Sequence, residues 1–261
     1  MRKTASPQLS RCGNGVWILE NKVYVVGMGP GDEGLMCRKA DETLKKCDVV
    51  IGYTVYVDLL RNRYPGKEFL TTPMTQEARR CRMAFEEARK GKSVAMVCSG
   101  DAGVYGMSGL ILEIGEEYPE ISVEVIPGIT AALSGGALLG APLTHDFAVI
   151  SLSDRLTPWE TIESRLFHAA SADFAICLYN PASKGRPEHL KRACQILKKV
   201  LPEDRICGTV ENIGREGESM RICTLRELED AEVNMFTTVF IGNSATKEMG
   251  GRMVTPRGYR I

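Results

Sequence analysis

Short runs of β-branched residues alternate with amphipathic stretches from Lys22 onward, and this alternation restricts the chain to an α/β fold. The predicted elements of the first half are strands over residues 22–28, 48–53, 92–100 and 122–128 and helices over residues 35–47, 104–117 and 129–140. A further helix is predicted after Thr75, with Ala78, Cys81, Phe85 and Ala88 along one face. The segment KSVAMVCSG (residues 92–100) is almost wholly apolar, as is typical of a parallel strand buried on both faces.

The second half continues the alternation less regularly. Its predicted strands cover residues 147–153, 173–180, 205–211, 219–225 and 236–243, and its helices begin at Thr157–Pro158 and at residue 186, with a short one over residues 224–232. The late succession of strands predicts a mixed sheet. We therefore expect two α/β domains, over residues 22–142 and 146–261, with a hinge at residues 141–147 and a cleft between them. Residues 1–21 are expected to be a flexible extension.

Composition limits the function classes. The 261 residues are 44% hydrophobic, and Lys+Arg and Asp+Glu both total 33, so the formal net charge is zero. A neutral chain offers no overall field for nucleic acid or an anionic membrane surface, and we expect neither partner. No apolar run approaches the roughly 18–20 residues that span a bilayer, so the protein is expected to be cytoplasmic.

Cysteine and histidine spacing gives no indication of a protein-held metal. The nine cysteines include no C-x-x-C pair and are interpreted as buried, reduced thiols. The three histidines form no ligand pair, and His168 and His189 are expected to be ordinary helix or core residues. Arg79, Arg80 and Arg82 predict a solvated basic helix face.

Three glycine-containing turns each join a predicted strand to a helix. They are GMGPGDEG (residues 27–34), SGDAGVYGMSG (99–109) and IPGITAA (126–132). The first is neither G-x-G-x-x-G nor a Walker loop, which argues against a dinucleotide or P-loop site. Asp101 could bind a ligand or cap the following helix, and Thr130 leaves the same two possibilities open. Three such turns in one domain together favour a ligand at the carboxyl ends of the strands.

The chain resembles the S-adenosylmethionine (SAM)-dependent tetrapyrrole methylases. The resemblance runs from about residue 22 to residue 259 and rests on six ordered segments: VYVVGMGPGD, SGDAGVYGMSG, VEVIPGITAA, LYNPASKGR, TVENIGREGE and TTVFIGNS. LYNPASKGRPEHL and GRMVTPRGY are most similar to the branch that methylates C17 of precorrin-3B or cobalt-factor III in cobalamin biosynthesis and contracts the macrocycle.

The resemblance implies a two-domain methyltransferase of the tetrapyrrole methylase (class III) fold. SAM would lie in the cleft and leave as S-adenosylhomocysteine, the tetrapyrrole would lie over the first domain, and any cobalt would arrive inside the substrate. Homodimers are expected from the family. Methylation at C11 or C20, the related diphthine-forming reaction, and a SAM- or tetrapyrrole-binding protein without turnover remain alternatives.

Site residues follow by position in these motifs. The implied cofactor contacts are Gly100, Asp101, Ala102, Val104, Thr130, Ala131, Tyr179 and Gly208. Tyr179 replaces a Met common in relatives, so contact with SAM is expected from its backbone more than from its ring. The loop with Gly29, Pro30 and Gly31 resembles the family's substrate-side loop and is assigned to the tetrapyrrole as much as to SAM.

Charged and titratable residues complete the predicted site. Because the substrate carries many carboxylates, Arg155, Lys184 and Arg186, in loops after predicted strands, are candidate substrate contacts, although each could be a solvated charge. Ring contraction would use a proton donor or acceptor, for which Asp101, His145 and Glu211 are the candidates, at most one of them being needed. His145 in the hinge could equally be structural.

Overall fold

The computed structural model describes residues 9–11, 17–19, 21–183 and 185–260. The chain divides into two compact units, Met1–Thr130 and Ala131–Ile261. The sequence pattern places this division later, near residues 142–146. The difference arises because the helix Ala131–Leu139 packs on the sheet of the second unit and not on that of the first.

Strands β1 (Leu9–Arg11) and β2 (Trp17–Leu19) pair antiparallel with each other. Most of the segment predicted to be a flexible extension, residues 1–21, lies outside the described residues.

The first unit is built on a fully parallel five-stranded sheet. Its strands are β3 (Lys22–Gly27), β4 (Val49–Tyr53), β5 (Glu68–Thr72), β6 (Val94–Cys98) and β7 (Ser122–Ile126), in the spatial order β5-β4-β6-β3-β7. Every residue of β6 is buried, as its apolar sequence predicts.

Helices cover both faces of this sheet. They are α1 (Arg38–Lys46), α2 (Thr54–Arg61), α3 (Glu77–Arg89) and α4 (Ser108–Gly115), and a 3₁₀ helix (Glu33–Leu35) precedes α1. Leu44 and Val57 of α1 and α2 pack on one face, and Phe85 and Ile111 of α3 and α4 pack on the other. The β3 and β6 strands are neighbours whose following helices go to opposite faces, which opens a crevice at their carboxyl ends.

The second unit contains the predicted mixed sheet. Its strands are β9 (Phe147–Ser151), β10 (Ala175–Tyr179), β11 (Ile206–Glu211), β12 (Ser219–Thr224) and β13 (Thr237–Ile241), in the order β12-β11-β13-β10-β9. Only β9 and β10 are parallel, and the other pairs are antiparallel. A small second sheet combines β8 (Gly140–Ala141), β14 (Lys247–Met249) and β15 (Arg252–Val254).

The helices of the second unit also lie on both faces of its main sheet. They are α5 (Ala131–Leu139), α6 (Trp159–Ser171), α7 (His189–Leu197) and α8 (Leu225–Glu229). Leu139 of α5 packs with Phe240 on one face, while Leu166 and Leu190 of α6 and α7 pack on the other. The short α8 begins with a capping box between Thr224 and Glu227 that explains its start.

The basic helix face expected at Arg79, Arg80 and Arg82 is wrong for Arg80. Arg80 is only 4% exposed, and its guanidinium donates to the Thr72 hydroxyl and to the carbonyls of Thr72 and Pro73. Its role is to hold the turn that follows β5, because these neutral acceptors satisfy a charge taken out of water.

The described cysteines agree with the interpretation as buried thiols. Seven of the eight are buried and Cys37 is half-buried, and all eight are free. Burial raises the pKa of Cys98 to about 11, so this thiol stays protonated at neutral pH. Within the described residues, no three His, Cys, Asp or Glu side chains group as ligands for a metal ion. None of the helices in this part of the chain is both long and apolar enough to cross a bilayer.

Candidate functional site

The glycines that end β3, β6 and β7 pack backbone against backbone. A Cβ on Gly128 would lie 2.1 Å from the Gly100 oxygen, and one on Gly27 would lie 2.7 Å from the Gly128 nitrogen. Gly100 also has a positive φ of 69°. Packing therefore requires glycine at residues 27 and 128, and the left-handed backbone favours it at residue 100, which supplies a structural reason for part of the glycine pattern that the sequence links to a ligand.

Two hydrogen bonds join the first two turns. The Gly29 nitrogen donates to the Gly100 oxygen at 3.1 Å, and the Gly100 nitrogen donates to the Gly29 oxygen at 2.7 Å. This isolated antiparallel bridge lies just past the ends of the parallel strands β3 and β6, at the crevice where open α/β sheets bind ligands.

Asp101 connects the second turn to the third. Its Oδ1 accepts from the Gly103 nitrogen at 2.7 Å, and its Oδ2 accepts from the Gly128 nitrogen at 2.8 Å. Both carboxylate oxygens are thus engaged by backbone N–H groups. The geometry gives Asp101 a positioning role in the turns, and its assignment as a proton donor or acceptor stays a prediction.

The turn after Asp101 has features that fit a nucleoside-type cofactor. Ala102 is buried, whereas Val104 is half-buried and Gly106 is exposed. The backbone N–H groups of Val104 and Gly106 donate to no other residue in the described part of the chain. N–H groups without a protein partner, beside small side chains at a sheet crevice, can donate hydrogen bonds to the acceptor atoms of a ligand. Thr130, in the third turn, is half-buried in the same unit.

The predicted substrate-side loop is mostly buried at its start. Gly29 and Pro30 are buried, and exposure begins at Gly31. Asp32 then caps the 3₁₀ helix through a 2.6 Å bond from the Gly34 nitrogen. Any substrate contact of this loop would therefore come from Gly31 onward or from its backbone.

In the second unit, the Tyr179 ring has a structural partner. Its hydroxyl accepts a hydrogen bond from the Ala132 nitrogen at 2.8 Å, in the first turn of α5. Its backbone oxygen accepts from the Leu152 nitrogen at 2.9 Å. Tyrosine at this position thus satisfies one of the free N–H groups of the helix start, which methionine could not do. Ala131, at the start of α5, is half-buried.

Gly208 also has a packing reason. It is buried in β11, and a Cβ there would lie 2.9 Å from both methyl carbons of Leu139. The small residue lets α5 approach the sheet. Its predicted place beside adenine stays a prediction.

The predicted basic substrate contacts of the second unit lie after β9 and β10. Arg155 is exposed in the loop after β9, and Arg186 is half-buried after β10. Lys184 lies outside the described residues. Because β9 and β10 are parallel neighbours, their carboxyl ends meet at one edge of the sheet, and both arginines follow that edge.

The other two proton-transfer candidates differ in their surroundings. Glu211 Oε1 accepts a hydrogen bond from Asn234 Nδ2 at 2.5 Å. His145 is exposed in the bend before β9, and its ring makes no hydrogen bond with the described residues.

Two polar residues with no distinctive sequence signal lie beside Arg186. They are Asp154 and His189, whose closest side-chain atoms are 3.1 Å apart. They are separated by 35 positions, and no local spacing links them, because the pairing of β9 with β10 brings them together.

The sequence matches the family of tetrapyrrole (corrin/porphyrin) methylases over residues 22–229. The match covers most of the chain, and the chain belongs to this family. Its fold is that of the class III methyltransferases, which its structural neighbours share.

Similar proteins with named functions indicate the branch of the family to which this chain is most alike in sequence. The chain is 43% identical over 238 residues to a probable cobalt-factor III C(17)-methyltransferase of Salmonella typhimurium, a match that covers 91% of this chain and 99% of the relative. It is 43% identical over 245 residues to a protein of the same description from Methanocaldococcus jannaschii, covering 91% and 97%. The crystal structure of the methyltransferase CobJ superposes with a TM-score of 0.83 at 37% identity, covering 90% of this chain and 99% of that one.

Proposed function

We propose that the protein is a SAM-dependent methyltransferase that acts at C17 of cobalt-factor III, or of its metal-free counterpart, in cobalamin biosynthesis. The observation that carries this is the 43% identity to two cobalt-factor III C(17)-methyltransferases over nearly their whole length. Contraction of the macrocycle is part of the proposal. A cobalt precorrin-4 methyltransferase matches at only 24% identity, which supports a shared fold.

The first unit is proposed to hold SAM through its second and third turns. Gly100, Asp101, Ala102, Val104 and Thr130 are the proposed contacts there. The support is the crevice at the ends of β3 and β6 and the N–H groups of Val104 and Gly106, which make no hydrogen bond with another described residue. Ala131, Tyr179 and Gly208 of the second unit are proposed contacts from family position. When bound, SAM supplies a methyl group already activated by its positively charged sulfur.

The protein's own contribution is proposed to be alignment. Rigid turns, tied by Asp101 and by the Gly29–Gly100 bridge, keep their backbone donors in place before a ligand arrives. Orientation of two reactants can replace a strong catalytic base, with effective molarities on the order of 10⁵ M or more. Gly31, Arg155, Lys184 and Arg186 are proposed to contact the carboxylated substrate, together with Gly29 and Pro30.

One proton donor or acceptor is proposed for ring contraction. His145 is the favoured candidate, because its exposed ring makes no hydrogen bond within the described residues. Both carboxylate oxygens of Asp101 and one of Glu211 already accept hydrogen bonds. Replacing His145 with Gln should leave SAM binding unchanged and slow the appearance of contracted product.

The test combines calorimetry with an anaerobic assay. SAM and S-adenosylhomocysteine should each bind saturably at one site, and NAD should not bind. Incubation of SAM with cobalt-factor III should add one methyl group by mass spectrometry, and NMR should place it at C17. A parallel incubation with precorrin-3B shows which form is the substrate. Methylation at C11 or C20, or SAM binding without turnover, would contradict the proposal.

A homodimer and a cytoplasmic location complete the proposal, on the strength of family resemblance. Light scattering of the purified protein tests the first, and fractionation of cells of the source organism tests the second.

A further inference from the structure

A polar cluster follows the carboxyl ends of β9 and β10, and it consists of Ser153, Asp154, Ser183, Arg186 and His189. We propose that Asp154 positions the guanidinium of Arg186 as an anchor for a carboxylate of the substrate, and that His189 supports Asp154 through its other carboxylate oxygen. The inference rests on the proposed function, because the ligand it names is the carboxylated tetrapyrrole.

The Arg186 side chain is fixed before any ligand binds. Its Nε donates to Ser183 Oγ at 3.1 Å, and its Nη1 donates to Ser153 Oγ at 2.5 Å. The backbone groups of Ser183 and Arg186 also bond to each other in both directions, which closes the turn. An arginine held in this way has already lost much of the side-chain freedom that binding would otherwise restrict.

One edge of the guanidinium remains available. Arg186 Nη2 makes no hydrogen bond with any residue that the structure describes, and the side chain is 20% exposed. When two nitrogens of a planar guanidinium are already hydrogen-bonded, the third can still donate a hydrogen bond to a carboxylate oxygen.

Asp154 lies between the two basic groups. Its Oδ1 is 3.5 Å from Arg186 Nη1, and its Oδ2 is 3.1 Å from His189 Nε2. The His189 contact, together with the nearby charge of Arg186, lowers the pKa of Asp154, so the carboxylate is charged at neutral pH. Its charge attracts Nη1, which also donates to Ser153, and Nη2 is left without a hydrogen bond to the described residues.

His189 is a buried support for that carboxylate. It is 7% exposed, and its Nε2 is within ion-pairing distance of Asp154 but not aligned for a hydrogen bond. The imidazole meets the edge of Trp159 at 4.9 Å between ring centroids, and Arg192 stacks over Trp159 at 4.0 Å. A polar nitrogen is costly to bury, and the close approach of the Asp154 carboxylate to Nε2 offsets part of that cost.

The free guanidinium nitrogen of Arg186 favours an anionic ligand at this edge. Arg155 is exposed in the loop after β9, and the same edge carries the carboxylates of Asp154 and Glu188. The carboxyl end of a parallel strand pair is also where α/β sheets bind ligands. A carboxylate of the substrate matches the free nitrogen of Arg186.

The experiment measures KM, kcat and the SAM dissociation constant for five variants: Asp154→Asn, Asp154→Glu, His189→Gln, Arg186→Lys and, as a charge-matched control, Asp204→Asn. Asp204 is exposed in the second unit. Because Arg186→Lys replaces the planar guanidinium, with its several N–H donors, by a single ammonium group, KM for cobalt-factor III should rise by roughly tenfold or more. Asp154→Asn should raise KM by roughly threefold to fivefold, as expected for a partly exposed ion pair.

The positioning role predicts which quantities stay constant. In Asp154→Asn, kcat and the SAM dissociation constant should stay within twofold of the wild type, and Asp154→Glu should recover most of the lost affinity. His189→Gln retains a donor near Asp154 and should change KM less than Asp154→Asn does. An Asp154→Asn variant that behaves like Asp204→Asn, or that loses kcat and SAM binding together, would overturn the inference.

A binding measurement separates this inference from the proposed function. If the wild type fails to methylate cobalt-factor III, the proposed function is wrong, and direct titration with uroporphyrin III, a carboxylated tetrapyrrole, then tests the anchor alone. The anchor predicts weaker binding in Arg186→Lys and Asp154→Asn than in Asp204→Asn. Equal binding by all three variants would contradict it.

Discussion

The Oδ2 atom of Asp101 accepts a hydrogen bond from the Gly128 nitrogen at 2.8 Å, across 27 positions of the chain. Its other oxygen holds Gly103 at 2.7 Å. One side chain thus joins the turns that follow β6 and β7, and the proposed cofactor contacts depend on its charge and on its two acceptors.

Replacing Asp101 with Asn should separate these turns. The amide keeps one acceptor and places an NH₂ group against a backbone N–H, so a donor meets a donor. The free energy of unfolding should fall by about 1–3 kcal/mol, and SAM affinity should fall with it. Urea unfolding and calorimetry measure the two effects.

Asp32→Asn is the matched control for Asp101→Asn. Only its Oδ1 accepts a backbone hydrogen bond, from Gly34 two residues along, and an asparagine oxygen can replace it. Its stability should change by no more than about 0.5 kcal/mol. Equal losses of stability in the two variants would mean that the hydrogen bond between Asp101 and Gly128 contributes no more than the local one at Asp32.

Gly128→Ala should disrupt the packing of the three turns. The added Cβ would lie 2.1 Å from the Gly100 oxygen, a backbone atom that cannot move without shifting the turn. We expect a loss of about 3 kcal/mol, at the upper end for overpacking. In Gly109→Ala, the Cβ meets nothing within 4 Å in helix α4, and the variant should be about 0.5–1 kcal/mol more stable. Thermal unfolding should therefore shift in opposite directions.

Tyr179→Phe tests whether the ring or the backbone of this residue matters for the cofactor. Loss of the hydroxyl leaves the Ala132 N–H without its acceptor, which should cost about 1 kcal/mol of stability. SAM affinity should stay within twofold if only the backbone makes contact. Tyr118→Phe is the control, because that ring stacks on Phe85 at 4.5 Å between centroids and its hydroxyl makes no hydrogen bond with the described residues. A large loss of SAM affinity in Tyr179→Phe would assign the hydroxyl a role in binding.

Stability should fall as the pH decreases below about 4.5, in part through Glu124. Hydrogen bonds from Lys22 and Lys39, at 2.6 and 2.7 Å, lower the pKa of Glu124 to about 2 from the ordinary value of 4.5. A carboxylate whose pKa is lower in the folded state stabilises the fold above pH 4.5, and the contribution disappears as the pH falls toward 2. Urea unfolding between pH 6 and pH 2 should show a shallower decline for Glu124→Gln than for the wild type, and parallel curves would contradict this assignment.

Local patterns in the sequence were sufficient to predict most of the parallel sheet of the first unit. The apolar run of β6 and the helical spacing of Cys81, Phe85 and Ala88 in α3 reflect burial on one face or both, which the sequence encodes residue by residue. The short α2 and the edge strand β5 escaped prediction because neither has a strong period. The glycine turns and the family resemblance were equally visible, because each is contained in about ten consecutive residues.

The partners of individual side chains depended on tertiary structure. Helix α5 belongs to the second unit because its buried face matches that unit's sheet, which no local pattern records. Arg80 follows the same spacing as its exposed neighbours, yet the position of β5 places it against Thr72 and buries it. Asp154 meets His189 only because β9 and β10 pair in parallel. Periodicity determines which face of an element is buried, whereas strand order determines what that face meets, and contacts between distant residues are decided only when the strands pair.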